Sequence, residues 1–69
     1  MENVTGKRIK ELRQEKKLSQ EQLGKAINIS QDMVSLWEKG KLLPTTEHII
    51  ILAKFFNESA DYILGLKDD

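Results

Sequence analysis

Residues 19–40 constrain the fold of this chain more than any other segment, because their apolar and small residues recur at the spacing of two short helices joined by a tight turn. Ser19 precedes Gln22 by three residues, so each side chain can cap the other's backbone N–H and start a helix. Asn28 tolerates the left-handed conformation that ends helices, and Ser30 is the N-cap candidate of the next helix. The residues that carry the pattern are Leu23, Gly24, Ile27, Ile29, Val34, Trp37 and Gly40. Two short helices that cross at a bend are therefore predicted.

Apolar spacing predicts one more helix on either side of this segment. Ile9 and Leu12 lie on one face of a helix over about residues 5–16. Beyond a loop that contains Pro44, another helix is predicted to run to about Phe56. Its core stripe has the spacing i, i+3, i+4 and i+7 and consists of Ile49, Leu52, Ala53 and Phe56.

A last short helix is predicted near the carboxyl end of the chain. Ser59 is its N-cap candidate, and Gly65 is a residue type that commonly stops a helix. Within this helix, Ile63 and Leu64 are expected to close the core. The whole chain then contains five helices and no strands.

Length and composition limit the chain to one small domain. A domain of 69 residues buries a small core, which leaves no room for an enzyme cleft. Its longest apolar run, residues 49–53, is far shorter than the roughly 20 residues that span a bilayer, so no membrane partner is expected. We predict an all-α fold in a single domain over residues 1–69, with its folded core at about 5–66 and a short acidic tail at 67–69.

The residue types needed for catalysis or metal binding are scarce. The chain has no cysteine, and His48 is its only histidine, so neither a metal cluster nor a conventional catalytic triad can be assembled. His48 is expected to be an exposed helix residue. The carboxylates are scattered among lysines and are better interpreted as solvated charges. We therefore expect no enzyme activity, no metal, no cofactor and no small-molecule ligand.

Charge is distributed unevenly although the formal net charge is zero. Up to Lys41 there are nine basic against six acidic residues, and after Lys41 there are two basic against five acidic residues. The first part is therefore basic, as a phosphate-binding surface requires, and the second part is acidic. Solvated helix faces with a chance asymmetry explain the same numbers equally well, so charge supports a nucleic-acid partner without establishing one.

Three motifs together resemble the phage repressor and Cro class of helix-turn-helix proteins, also called the xenobiotic-response-element type. They are residues 9–13 (IKELR), 18–23 (LSQEQL) and 34–40 (VSLWEKG), with Pro44 beyond them. The resemblance covers residues 8–64. It implies a compact lambda-repressor-like domain in which helices 2 and 3 form the helix-turn-helix. It also implies double-stranded DNA as the partner, with helix 3 in the major groove and a homodimer on a near-palindromic operator.

The family's base-reading positions fall on Gln31, Asp32, Ser35 and Leu36. Gln suits adenine, because its amide can donate and accept in a bidentate pair, whereas Asp can accept from a cytosine amino group. Leu36 departs from the polar residue of some relatives and can only contact a thymine methyl or pack against the DNA backbone. The structural alternative for Gln31 and Asp32 is that they are favoured at a helix start by capping and the macrodipole.

The family's backbone-contacting positions fall on a second set of polar residues: Ser19, Gln20, Ser30, Lys39 and Lys41. Gln20 opens helix 2, where an amide and the helix N–H groups can meet a phosphate, and it is also a candidate brace for Gln31. Such contacts position the protein without specifying a sequence. Ordinary exposed polarity is the alternative, especially for the two lysines.

Arg13 and Glu38 match a pair that forms a salt bridge between the first and third helices in relatives. We expect this pair to be structural. If it is partly buried, removal of one partner leaves the other charge unpaired and costs several kcal/mol.

Four apolar residues that do not fit one small core are candidates for a homodimer face: Ile51, Phe55, Tyr62 and Leu66. Ile51 and Phe55 lie four residues apart on a different side of helix 4 from its core stripe. Such a face suits a two-fold dimer that places two reading helices about 34 Å apart. A core that wraps around most of helix 4 is an equally good explanation.

The predicted function is sequence-specific binding of double-stranded DNA by a transcriptional regulator, with repression by occlusion as the default and a cytoplasmic, nucleoid-associated location. The alternative is an antitoxin or protein-partner-binding module that uses the same fold. A regulator requires Gln31 and Asp32 for its activity, whereas a protein-binding module requires another surface and tolerates their loss.

Overall fold

Five helices and no strand make up residues 3–68, the part of the chain that the computed structural model describes. The helices are α1 Val4–Glu15, α2 Gln20–Ile27, α3 Gln31–Lys39, α4 Thr46–Phe56 and α5 Ala60–Leu64. The prediction of an all-α fold with five helices is confirmed, and α2 and α3 are the predicted crossing pair. Asp69, the last residue of the predicted acidic tail, lies outside the described residues.

Side-chain caps start all five of these helices. Ser19 Oγ accepts from the Gln22 N–H at 3.0 Å, and Gln22 Oε1 accepts from the Ser19 N–H at 2.8 Å, so the predicted capping box is present. Hydroxyl caps also start the next three helices, at Ser30, Thr45 and Ser59. At α1, Asn3 Oδ1 accepts from the Gly6 N–H at 3.0 Å, a cap that was not predicted. These local bonds explain why the helices begin where they do.

Left-handed residues close the helices. α2 to α5 end at Asn28, Gly40, Asn57 and Gly65, with φ angles between 54° and 84°, and Asn28 and Gly65 are the ends that the sequence predicts. After α1, Lys17 adopts the same conformation with φ 59°, which the sequence did not indicate. The turn lets the Leu18 N–H donate to the Arg13 carbonyl oxygen at 3.1 Å. A lysine therefore occupies a backbone position that favours Gly or Asn.

The core lies where the inner faces of the helices meet. Trp37 on α3 is its largest buried side chain, at 1% exposure. Ten buried apolar residues form one cluster: Ile9, Leu12, Leu23, Ile27, Val34, Trp37, Ile49, Leu52, Phe56 and Ile63. Leu64 is 44% exposed, so the prediction that it closes the core is wrong. Adjacent helix residues point about 100° apart, so Leu64 turns outward where Ile63 is fully buried in the short α5.

Two glycines permit close approaches between helices: Gly6 lets α1 approach the backbone of α3, and Gly24 lets α2 approach the turn before α3. A Cβ on Gly6 of α1 would lie 2.2 Å from the Trp37 carbonyl oxygen, and one on Gly24 of α2 would lie 2.3 Å from the Ile29 carbonyl oxygen. Both atoms that would clash belong to the backbone, which cannot rotate aside. The absence of a side chain at these positions therefore sets how closely α1 and α2 hold α3.

The two ends of the described chain lie side by side. A Cβ on Gly65, just after α5, would lie 2.9 Å from Val4 Cγ1 at the start of α1. Arg8 donates to the Tyr62 and Lys67 carbonyl oxygens, and its guanidinium lies 4.3 Å from the centre of the Tyr62 ring. α1 therefore holds the carboxyl end of the domain against its amino end.

His48 differs from expectation in its surroundings. It is half-buried rather than exposed, and its ring centre lies 5.3 Å from that of Trp37 at a tilted angle. The imidazole thus covers one side of the core tryptophan.

Within residues 3–68, no helix has the length and apolar character needed to cross a membrane.

Candidate nucleic-acid interface

The outward side of α3 carries all four predicted base-reading residues. Gln31 and Asp32 are exposed, Ser35 is half-buried, and Leu36 is 37% exposed. On the opposite side of the same helix, Val34 and Trp37 are buried in the core. The 3.6-residue period of the helix therefore separates a core face from a face that is free to meet a partner.

The serines predicted to contact the DNA backbone already serve as caps. Ser30 Oγ accepts from the Met33 N–H at 3.2 Å, and Ser19 Oγ accepts from the Gln22 N–H. Each hydroxyl keeps its own hydrogen as a donor, and both serines are exposed. A capping serine can therefore still donate to a phosphate oxygen.

Arg13 and Glu38 form a nearly buried ion pair between α1 and α3. Arg13 Nε lies 2.7 Å from Glu38 Oε2, and Arg13 Nη2 lies 3.0 Å from Glu38 Oε1, which is a bidentate geometry. The side chains are 11% and 4% exposed. Hydrogen bonding to Glu38 raises the pKa of Arg13, more than burial lowers it.

Glu38 also receives a third donor, from the residue that opens α2. Gln20 Nε2 donates to Glu38 Oε1 at 3.1 Å, so the predicted brace from Gln20 to Gln31 is replaced by a bond to Glu38. Arg13 Nη1 in turn donates to the Leu18 carbonyl oxygen at 2.7 Å, just before α2. One carboxylate and one guanidinium therefore tie α1, the start of α2 and the end of α3 into a rigid unit.

The lysines of the candidate interface lie at the carboxyl end of α3. Lys39 is the last residue of the helix, and Lys41 follows Gly40; both are exposed. The Lys41 N–H donates to the Leu36 carbonyl oxygen at 3.0 Å, which fixes the backbone of this turn. Two positive charges therefore lie on the same helix as the predicted base-reading residues or just after it.

The structure divides the predicted dimer face. Ile51 is 39% exposed and Leu66 is 73% exposed, whereas Phe55 and Tyr62 are half-buried and pack against the core. Lys16 Nζ lies 5.6 Å from the centre of the Phe55 ring, and the Arg8 guanidinium covers Tyr62. Phe55 and Tyr62 are therefore less exposed than Ile51 and Leu66, and the homodimer face formed by all four stays a prediction.

Two exposed leucines that the sequence reasoning missed lie near the meeting ends of the chain. Leu43 is 71% exposed and Leu64 is 44% exposed, and both line a groove with Val4 and Gly65. For Leu43, the sequence signal was the apolar pair Leu42–Leu43 just before Pro44, in a predicted loop.

A sequence model of the helix-turn-helix family matches residues 9–63. The chain belongs to this family. Two curated relatives are an uncharacterized transcriptional regulator YobD of Bacillus subtilis, 39% identical over 62 residues, and repressor protein C2 of Salmonella phage P22, 36% identical over 61 residues. These alignments cover 90% and 88% of the chain, and 55% and 28% of the relatives. The chain thus spans about half the length of the curated relatives it matches, or less.

Solved helix-turn-helix structures share the whole fold. The crystal structure of the P22 c2 repressor with a synthetic operator has a TM-score of 0.82, with 33% identity over 87% of this chain and 91% of that chain. The solution structure of the same repressor's DNA-binding domain also has a TM-score of 0.82, with 34% identity over 93% of this chain and 86% of that chain. The predicted lambda-repressor-like fold and the phage repressor type of helix-turn-helix are confirmed. The relatives named above are a transcriptional regulator and a repressor rather than enzymes.

Proposed function

We propose that this chain binds double-stranded DNA sequence-specifically and regulates transcription, with repression by operator occlusion as its simplest action. The observation that carries the proposal is the exposed polar face of α3, held rigidly by the Arg13–Glu38 pair in a fold shared with a repressor solved on an operator. A helix of this size fits the major groove of B-DNA, where each base pair presents a distinct pattern of donors and acceptors.

Base recognition is assigned to the four outward residues of α3: Gln31, Asp32, Ser35 and Leu36. The Gln31 amide can donate to and accept from one adenine, and Ser35 can bond to any base edge. Asp32 can only accept, and nearby phosphates repel it, so it sharpens sequence choice more than it raises affinity. The specificity is therefore expected to reside at the amino-terminal half of α3.

Phosphate binding is assigned to the start of α2 and to the turn after α3. One phosphate can accept from the free backbone N–H groups at the start of α2. It can also accept from the Gln20 side-chain amide, because that amide has two hydrogens and only one of them is donated to Glu38. Lys39 and Lys41 can neutralise phosphates at the other end, and the exposed Ser19 and Ser30 hydroxyls can donate to further phosphate oxygens. These contacts set the orientation of α3 in the groove.

A homodimer is the proposed binding unit, on a near-palindromic site with reading helices about 34 Å apart. The candidates for the dimer face are Ile51, Phe55, Tyr62 and Leu66, of which Ile51 and Leu66 are the more exposed. We assign the chain to a single domain over residues 1–69, with a folded core at about 5–66, acting in the cytoplasm at the nucleoid. A leucine-lined groove also supports the alternative of a protein-partner-binding module such as an antitoxin.

Selection from random duplexes at fixed moderate salt tests this function. The purified protein is compared with Gln31→Ala and Asp32→Ala, and with Glu47→Ala as an exposed control on α4. We expect an enriched two-fold-symmetric site that the first two variants lose or alter and the control keeps. Weak, salt-sensitive binding without enrichment would refute specific recognition and favour the protein-binding module.

A further inference from the structure

One apolar side chain stands in the otherwise polar outward face of α3. Leu36 is 37% exposed, and Asp32 lies one turn before it on the same face. Within residues 3–68, the Asp32 carboxylate forms no hydrogen bond or ion pair, and the Leu36 side chain lies outside the buried core cluster. Both side chains are thus free to meet a partner.

The chemistry of the major groove limits what these two side chains can contact there. The thymine C5 methyl is the only apolar group that base edges present in this groove, so it is the one edge that rewards a leucine. A carboxylate needs a donor. Cytosine offers its N4 amino group without an acceptor on the same base edge, whereas adenine places N7 beside its amino group and repels the carboxylate.

We propose that Leu36 determines operator specificity by contacting a thymine methyl close to a cytosine that Asp32 reads. This inference rests on the proposed function and deepens it, because it names the bases at that site. Residues four apart on a helix are separated by about 6 Å along its axis. Successive bases of one strand are about 3.4 Å apart. The thymine therefore lies within about two base pairs of the cytosine.

Removal of the methyl alone isolates this contact. In the selected site, each thymine is replaced in turn by deoxyuridine, which keeps the O4 acceptor and the base pairing. Loss of one buried methyl corresponds to about 0.8 kcal/mol, so we expect about four-fold weaker binding for one half-site and about fifteen-fold for both. The sensitive thymine is expected within about two base pairs of a cytosine whose preference is relaxed in Asp32→Ala.

A double-mutant cycle ties the effect to Leu36. Leu36→Ser is measured on the thymine and uracil sites, with Ile50→Ser on α4 as a control of similar exposure, 47%. The uracil effect should disappear in Leu36→Ser and persist in Ile50→Ser. Both residues are exposed, so neither variant is expected to unfold, and circular dichroism checks this.

The outcomes separate the inference from the function on which it rests. An enriched site in which no uracil substitution weakens binding overturns the inference and leaves sequence-specific binding intact. The same holds if the uracil effect persists in Leu36→Ser, because another residue then contacts the methyl. Failure to enrich any site overturns the proposed function, and with it this inference.

Discussion

Replacement of Glu38 by alanine is expected to destabilise the fold by about 3 kcal/mol. Loss of one partner of a buried ion pair costs about 3 to 5 kcal/mol, and the lower end applies because Arg13 keeps its bond to the Leu18 carbonyl and remains 11% exposed. Gln20 also loses its acceptor. A chain of 69 residues has a free energy of unfolding of roughly 3 to 10 kcal/mol, so this substitution removes a large part of it.

Urea denaturation, followed by far-UV circular dichroism and Trp37 fluorescence, measures this loss. With a slope of about 1 kcal/mol per molar urea, the midpoint should fall by about 3 M or the variant should be unfolded without urea. The double variant Arg13→Met/Glu38→Leu removes both charges and should be clearly more stable than Glu38→Ala. Asp68→Ala, which breaks the exposed pair with Arg8, is the control and should leave the midpoint unchanged.

The pH dependence follows from the direction of the Arg13 pKa. Hydrogen bonding to Glu38 raises this pKa in the folded state. A raised pKa contributes stability below the unfolded value, and this stability is lost only as pH rises through the folded value, beyond ordinary buffers. The difference between wild type and Glu38→Ala should therefore stay constant from neutral to mildly alkaline pH. A loss below about 1 kcal/mol, typical of surface pairs, would refute the reasoning.

Three further substitutions test other parts of the structure. Gly24→Ala should destabilise the protein by more than about 1 kcal/mol in thermal melts, because the added Cβ would lie 2.3 Å from a backbone carbonyl oxygen. The control Ala26→Gly, at an exposed position of the same helix, should lose only the helix-propensity difference of about 1 kcal/mol. A Gly24→Ala variant that is more stable than wild type would contradict the close approach. Lys17→Gly should raise the free energy of unfolding by roughly 1 kcal/mol, and with it the urea midpoint, because glycine adopts the left-handed φ of 59° without strain. An unchanged or lower midpoint would argue against strain at this residue. Lys39→Ala and Lys41→Ala should each reduce the slope of log affinity against log salt by about 1 on the selected DNA site without changing its sequence; an altered site preference would assign them to base reading instead.

The helices were predictable because their boundaries depend on neighbours in sequence. Ser19 with Gln22, and Asn28 at the end of α2, make local bonds that any chain with this order of residues can form. Lys17 shows the limit of this reasoning. Its left-handed conformation is not a lysine preference, and it is tolerated where α1 has to end and turn towards α2.

The candidate site was predictable in its residues and less so in its contacts. Family resemblance located Arg13 and Glu38, whose spacing of 25 residues carries no local signal. The bond from Gln20 to Glu38 depends on how α2 and α3 pack, which periodicity does not describe. The sequence also did not predict how far Phe55 and Tyr62 are buried. Periodicity gives the direction of each side chain from the helix axis, but it does not show the cations that lie near the two rings.

Val4 and Gly65 lie side by side, so the start of α1 and the residue after α5 meet at one place on the domain. Because the start of α1 and the end of α5 lie together, a circular permutant that joins them through a short linker and opens the chain in an exposed loop is expected to fold. The relatives contain the matching sequence within longer proteins, of which the alignment covers as little as 28%. A five-helix unit whose two ends meet is suited to such attachment, because a neighbouring domain joins it at one place rather than at two separate places.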